Sequence, residues 1–316
     1  MYNNLTVTVN TQESSLYIVA GSGLKEISSQ LEDKKIISSA EYFILYTKLK
    51  GQENKIQAGK FKIPPNINLD TLLKKLQDPE QEYIKITIPE GYTVYQIAEI
   101  LEKNNLINKE KFLEIATKGI SDFDIDIDSD NILYKLEGYL FPDTYYIPNG
   151  FKEKEIIDVI LKRFDEVFTD KNRERAKELG LSINKILTIA SLIEKEAAND
   201  SERKTIAGVI YNRLENNMLL QIDASVIYGI TKGEGHISRL LYKDLESNSV
   251  YNTYKYKGLP PGPIASSGIS SIEAALYPEE HGYFYYVFDN NKHVFSKTYK
   301  EHLKNVASIR NKQNKN

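Results

Sequence analysis

The chain has 316 residues, 41% of them apolar and 27% charged, a formal net charge of −3 and no cysteine. That is enough apolar material for two folded domains, and it excludes a disordered chain, a disulfide scaffold and any thiol or Fe–S chemistry. With 41 basic against 44 acidic residues, no cationic excess is available to neutralise a phosphate backbone, so no nucleic-acid partner is expected.

Residues 1–10 lack the basic and apolar segments of a signal peptide. No run approaches the roughly 18–20 apolar residues that cross a bilayer. A soluble chain is expected; if its relatives are membrane-anchored, the anchor has been trimmed, lost, or lies outside this sequence.

An internal repeat appears at an offset of 70 residues: 21–27 (GSGLKEI) aligns with 91–97 (GYTVYQI). The match continues through Leu31 and Leu101, Glu32 and Glu102, Ile37 and Ile107, and Tyr42 and Phe112. Each copy predicts a short strand (16–19 and 86–88), a glycine turn, an amphipathic helix and a second helix. In the second copy Val94, Ile97, Ile100 and Leu101 form one helical face. Between the copies, 58–63 alternates like a strand, Pro64-Pro65 ends it, and 69–76 reads as a helix. The expected division is 1–82, a second small unit at 83–118, and a third region at 119–316.

The third region opens on an acidic stretch, 121–131 (SDFDIDIDSDN). Asp126, Asp128, Asp130 and Glu137 have the spacing of calcium-loop ligands, with Leu133 at the usual apolar position. Asn131 stands where such a loop requires glycine, and no partner loop follows. A solvated acidic loop is expected, with no metal.

Next comes 136–148 (LEGYLFPDTYYIP), dense in aromatics and turn formers yet carrying Glu137 and Asp143. A helix with Ile156, Ile157, Ile160, Phe164, Val167 and Phe168 on one face is expected to run on until Gly180 closes it. Ser182 caps a helix from 183 to about 198, striped by Ile186, Ala190, Ile193 and Ala197. Another helix, 202–216, packs through Ile206, Val209, Ile210 and Leu214. The chain ends in a predicted hairpin, 283–288 and 293–296 about the turn 289–292 (DNNK).

Glu194-Lys195-Glu196 closes the apolar helix. On a helical wheel the two carboxylates fall on opposite edges of the stripe, so one can face a cleft while the other faces water. A carboxyl held against apolar surface keeps its neutral form and suits general acid work near neutrality. Periodicity does not choose between the two, and a solvated pair flanking a lysine has the same pattern. Asn212-Arg213, 221–225 (QIDAS), Tyr228-Gly229, 251–254 (YNTY) and the stiff loop 258–264 (GLPPGPI) add amides and aromatic faces. Such groups suit a sugar, and equally suit satisfying buried backbone and building a cleft wall. His236, His281, His293 and His302 form no i, i+4 pair, and there is no Walker loop or GxGxxG, so no nucleotide or metal cofactor is expected.

Taken together these motifs resemble the YceG-like (MltG) endolytic murein transglycosylases over nearly the whole chain. The resemblance rests on 136–145 (LEGYLFPDTY), 190–197 (ASLIEKEA), 209–213 (VIYNR), 220–229 (LQIDASVIYG), 251–254 (YNTY) and 258–264 (GLPPGPI). It implies an α+β fold, with duplicated small LysM-like α/β units at the N-terminus followed by a mixed helical and β catalytic domain. It implies a lytic transglycosylase, a carbon–oxygen lyase. The bond cut would be the β-1,4 bond between N-acetylmuramic acid and N-acetylglucosamine of nascent strands, leaving a 1,6-anhydro end and terminating elongation. Glu196 is then the catalytic residue, and Glu137, Tyr139, Asn212, Gln221, Asp223, Tyr228, Tyr251 and Asn252 are substrate-binding candidates. No cofactor is implied. The implied partners are peptidoglycan glycan strands and penicillin-binding proteins or other glycan polymerases, at the extracytoplasmic face of the bacterial cell membrane. Two departures stand out: Ser266-Ser267-Gly268 replaces a frequent Asn-Pro-Gly, and the family's transmembrane helix is absent from this sequence. The alternatives are a muramidase-type hydrolase using Asp223 or Glu137 as second carboxylate, and a non-catalytic peptidoglycan-binding scaffold. Residues 119–316 alone are expected to keep the fold and the glutamate.

Overall fold

Alternation in 14–18 (SSLYI) and 59–63 (GKFKI) directs Leu16, Ile18, Phe61 and Ile63 to one face, where all four are buried. A computed structural model of the chain describes residues 10–18, 22–79, 83–120, 130–235, 237 and 240–313. Val19, Gly21, Asp126, Asp128 and His236, which carry expectations above, lie outside the described residues. The chain divides into two compact units between Tyr83 and Ile84.

In the first unit, β1 (Ser14–Ile18) is followed by α1 (Leu24–Asp33), α2 (Ala40–Leu49), β2 (Gly59–Ile63) and α3 (Leu69–Lys75). β1 and β2 pair antiparallel with Leu16 opposite Phe61. Ser39 and Asn68 start α2 and α3 by accepting from the Tyr42 and Thr71 N–H groups. Ile27, Leu31, Phe43, Leu72 and Leu73 cover the inner face of the ribbon.

The second unit opens with the same order. β3 (Tyr83–Thr87), whose first residue belongs to the first unit, precedes α4 (Val94–Lys103), α5 (Lys109–Lys118) and β4 (Thr144–Pro148), and β3 pairs with β4. A capping box between Thr93 and Gln96 starts α4, and Asn108 caps α5. Val94, Ile97, Leu101, Phe112 and Ala116 share one core with the residues that follow, so 84–118 and 130–313 are parts of one compact unit. A fragment beginning at residue 119 would leave that core uncovered on one side.

The helix expected to run from 156 to Gly180 is two helices, α6 (Glu153–Val167) and α7 (Asp170–Glu178). Phe168 leaves the helical conformation to stack on Phe164, 5.3 Å between ring centroids. Thr169 and Asp170 then supply a new helix start, and Gly180, at φ 67°, closes α7. Ser182 caps α8 (Ile183–Glu196) by accepting from the Lys185 N–H. α8 stops two residues earlier than its apolar stripe suggests, because Ala197 is extended. α9 (Arg203–Glu215), α10 (Asp223–Thr231) and α11 (Ile269–Leu276) pack against α8. β5 (Tyr285–Asp289) and β6 (Lys292–Ser296) form the hairpin, with Asn290 and Asn291 both at positive φ in its two-residue loop. α12 (Tyr299–Gln313) packs on both strands. Among the described residues no helix is long and apolar enough to cross a membrane.

Phe112 is fully buried in the second unit's core. Phe112→Ala should lower the unfolding free energy of that unit by about 3–5 kcal/mol in urea denaturation. A fragment starting at Ile84 should unfold in a cooperative transition, and one starting at residue 119 should show none.

Candidate active site

The interior of α8 is apolar nearly all round: Ile186, Leu187, Ile189, Ala190, Leu192 and Ile193 are all buried. That packing fixes the helix's last turn, where Lys195 and Glu196 line a cleft of about 250 Å³. The other walls are Thr93 and Gln96 at the start of α4, Asp223, Ile227 and Tyr228 on α10, Gly233 beyond it, and Ile264 at the end of the proline-rich loop.

The two glutamates of the triplet do different work. Glu194, with its side chain 7% exposed, pairs with Arg203 at 3.2 Å, and its Oε2 accepts from the Gly268 N–H at 3.0 Å. Arg203 is held in turn by Asp200 and by the Ser271 hydroxyl. Glu194 therefore staples the 266–268 segment to α8. That segment also exchanges backbone hydrogen bonds with the turn before α4, Gly91 N–H to Ser266 O and Ser266 N–H to Tyr92 O, both 2.8 Å. The 266–268 loop is thus held by pairing.

Glu196 is partly accessible through the cleft, but protein atoms crowd its carboxyl. Its Oε2 accepts from the Tyr286 hydroxyl at 2.8 Å. Desolvation is the largest cause raising its pKa above the ordinary carboxyl range, and the nearby Asp223 adds to it. The Tyr286 hydrogen bond and the positive fields of His293 and Arg213 oppose the rise without cancelling it.

Of the substrate-binding candidates, Asp223 and Tyr228 reach the cleft. Asp223 is exposed at the first position of α10 and accepts from the Tyr254 hydroxyl at 2.6 Å. Glu137 does not reach it. Fully buried, it accepts from the Val94 N–H (3.0 Å) and the Tyr228 hydroxyl (2.8 Å), tying α4 to α10 behind the wall. Burial pushes its pKa up to about 8. That position also removes it as the closing ligand of a solvent-facing calcium loop and as a second carboxylate facing a sugar.

The remaining candidates build the scaffold. The buried ring of Tyr251 lies 4.9 Å from that of Tyr228 and supports it from behind, and its hydroxyl accepts from the Leu133 N–H. Asn252, fully buried, donates to the Leu245 and Ser247 carbonyls and accepts from the Tyr254 N–H, closing its own loop. Asn212 donates to the carbonyls of His281 and Tyr283, which ties α9 to the approach to β5 outside the cleft. Gln221 is exposed at φ 54° and is absent from the lining. Tyr139 is a core residue set edge-on against Phe164. The 136–145 motif instead touches the proline-rich loop through Gly138, where a Cβ would lie 2.7 Å from Pro263 and the backbone is at φ 81°.

Among the residues of the site that escaped the sequence reading are Thr93, Gln96 and Tyr286. Thr93 and Gln96 carry the Thr-x-x-Gln signature of a helix start, which marks a cap and not a cleft. Tyr286 has no local signal, since the hairpin brings it to a residue 90 positions away.

The YceG-like family matches residues 16–308. An endolytic murein transglycosylase of Bacillus subtilis (strain 168) is 39% identical over 303 residues, covering 92% of this chain and 83% of the relative. One of Streptococcus pneumoniae (strain D39) is 32% identical over 316 residues; that match covers 92% of this chain and 57% of the longer relative. The 2.6 Å crystal structure of a yceG-like protein from Listeria monocytogenes aligns with a TM-score of 0.64 at 39% identity, covering 93% of this chain and 98% of that one.

The pKa of Glu137 gives stability a definite pH dependence. The folded chain holds a proton at this carboxyl up to about 8, whereas an unfolded glutamate releases it near 4.5. Across that window the folded state binds more protons, so the unfolding free energy should fall with rising pH, by an amount on the order of a few kcal/mol. Glu137→Gln should make that slope shallower when urea denaturation at pH 5 and pH 8 is compared.

Proposed function

This chain belongs to the YceG-like family, and we propose that it is an endolytic murein transglycosylase in which Glu196 is the single acid–base group. One observation carries the assignment of the residue: Glu196 presents a desolvated carboxyl to the cleft, while its neighbour Glu194 is committed to Arg203 and Gly268.

The substrate is the β-1,4 bond between N-acetylmuramic acid and N-acetylglucosamine in peptidoglycan strands. Protonated Glu196 gives its proton to the glycosidic oxygen as the C1–O bond breaks, and an oxocarbenium-like centre develops at C1. The carboxylate left behind takes the proton of the muramyl C6 hydroxyl as that oxygen bonds to C1. The product ends in a 1,6-anhydro ring, and Glu196 is again protonated. Because the attacking hydroxyl is tethered to the same sugar, proximity replaces the second carboxylate and the water of a hydrolase. Asp223, which lines the same cleft, supplies negative charge for the cationic centre. Tyr228 offers an aromatic face, stiffened by Glu137 and Tyr251.

The βααβ order of 14–63 and of 83–148 supports a LysM-like character for both repeats, with the first gripping glycan. Placement at the outer face of the cell membrane beside glycan polymerases, with strand termination as the outcome, follows from the same reading.

On uncrosslinked nascent glycan the wild-type chain should yield ends one water lighter than reducing ends by mass spectrometry. Full-mass reducing ends would identify a hydrolase instead. Glu196→Gln should lower cleavage by about 10²–10⁴-fold, the usual worth of a general acid–base group; undiminished cleavage would remove Glu196 from the role.

The first step needs the protonated acid, and the pKa of Glu196 is raised. Accordingly kcat/KM should hold into pH values where an ordinary carboxyl is already ionised and fall only above them, as read from a pH–rate profile.

A further inference from the structure

We infer that Tyr286 is the positioning residue of the site: by holding Oε2 of Glu196 it leaves Oε1 as the oxygen that gives and takes the proton in the cleft. This rests on the acid–base reading of Glu196.

Glu196 needs such a restraint. It is the last residue of α8, and the chain leaves the helix at once through extended Ala197. Nothing in the helix holds the outer bonds of its side chain. The Tyr286 hydroxyl, arriving on β5, donates to Oε2 at 2.8 Å. The tyrosine ring is itself held. His293, on the facing strand β6, meets it edge-on with centroids 5.2 Å apart and planes at 80°. His293 is pinned at two points by Glu202: its backbone N–H reaches Oε1 at 2.7 Å, and its Nδ1 lies 2.9 Å from Oε2. Both of those side chains are 10% exposed or less. A continuous line of contacts thus runs from Glu202, just before α9, through the hairpin to the cleft.

The groups facing Glu196 across the site are Asp223 on α10, Tyr286 and His293 on the hairpin, and Arg213 on α9. Arg213 is occupied by the carbonyls of Phe284, Leu219 and Leu220, so it acts only through space. On its own helix Glu194 is turned to Gly268 and Lys195 donates to the Gly91 carbonyl. Among the described residues, Tyr286 is therefore the group that grips the carboxyl directly. Burial holds its own hydroxyl proton well above the ordinary phenol range, so it stays a donor throughout. As the proton leaves Oε1 for the glycosidic oxygen, the hydrogen bond at Oε2 shares the new negative charge. When the C6 hydroxyl attacks C1, its proton returns to Oε1 and the clamp is unchanged.

Tyr286→Phe keeps the ring and removes the grip. On uncrosslinked glycan, kcat per folded molecule should fall about tenfold with KM within about twofold. The alkaline limb of the pH–rate profile should move up by about one pH unit, because the carboxylate has lost a donor. His293→Phe, which cuts the side-chain tie to Glu202 and so loosens the tyrosine, should move the limb in the same direction by less. A wild-type limb and kcat in folded Tyr286→Phe overturn the proposal. If that variant does not fold, an unmoved limb in His293→Phe overturns it instead. Full activity in Glu196→Gln would overturn the underlying acid–base reading, whereas an inactive Glu196→Gln beside an unperturbed Tyr286→Phe defeats the clamp alone.

Discussion

A carboxyl at the last residue of a buried helix has two reasons to keep its proton. Burial strips the water that would stabilise its anion, and the negative end of the helix dipole lies beside it. Glu196 meets both conditions because α8 runs through the core of the second unit and stops at that residue. The remaining features of the site are fitted around this end. α4 begins there, α10 begins there, and the proline-rich loop and the hairpin close over it. The apolar length of α8 does more than bury surface: a helix locked from Ile186 to Ile193 cannot roll, so its last turn has a fixed bearing.

From that bearing comes the separation of the two glutamates. Two residues apart on a helix means opposite edges of the stripe. Glu194 meets Arg203 and an N–H of the 266–268 segment, and both partners hold its carboxyl against the protein. Glu196 meets the Tyr286 hydroxyl and a crowd of carbon, which do not compensate its charge fully. One helix turn thus makes a structural tie and a desolvated carboxyl open to the cleft from the same side-chain type. Most of the polar motif residues lie on the structural side of that division. Asn252, Asn212 and Arg213 are spent on backbone carbonyls of loops and strand ends, as buried polar groups must be.

This is also why the chain is only partly legible from its letters. Periodicity and caps were enough for α8, for the repeat of strand and helix pairs, and for the hairpin about Asn290-Asn291, since each depends on neighbours in sequence. The break between α6 and α7 was missed because Val167 and Phe168 continue the apolar face, and only the stacking of Phe168 on Phe164 shows that the chain has turned. Glu137 reads as a site carboxylate because it is acidic among aromatics; its burial behind Tyr228 is a tertiary fact. Tyr286 is invisible for the same reason. What it contacts is decided by where a hairpin docks and not by what flanks it.

The repeat shows most directly how one local pattern acquires two fates. Gly23 and Thr93 occupy equivalent positions, as do Glu26 and Gln96. In the first copy Gly23 offers no side chain to cap its helix, and that ribbon and its helices close on a core of their own. In the second, Thr93 accepts from the Gln96 N–H while its hydroxyl donates to the Gly233 carbonyl at 2.7 Å. The helix start is thereby welded to the loop beyond α10. Val94 extends the weld by donating its N–H to Glu137. Gln96, whose Oε1 is taken up by the Thr93 N–H, is left lining the cleft. A change from glycine to threonine at one capping position therefore marks the difference between a repeat that closes on a core of its own and one that lines the cleft.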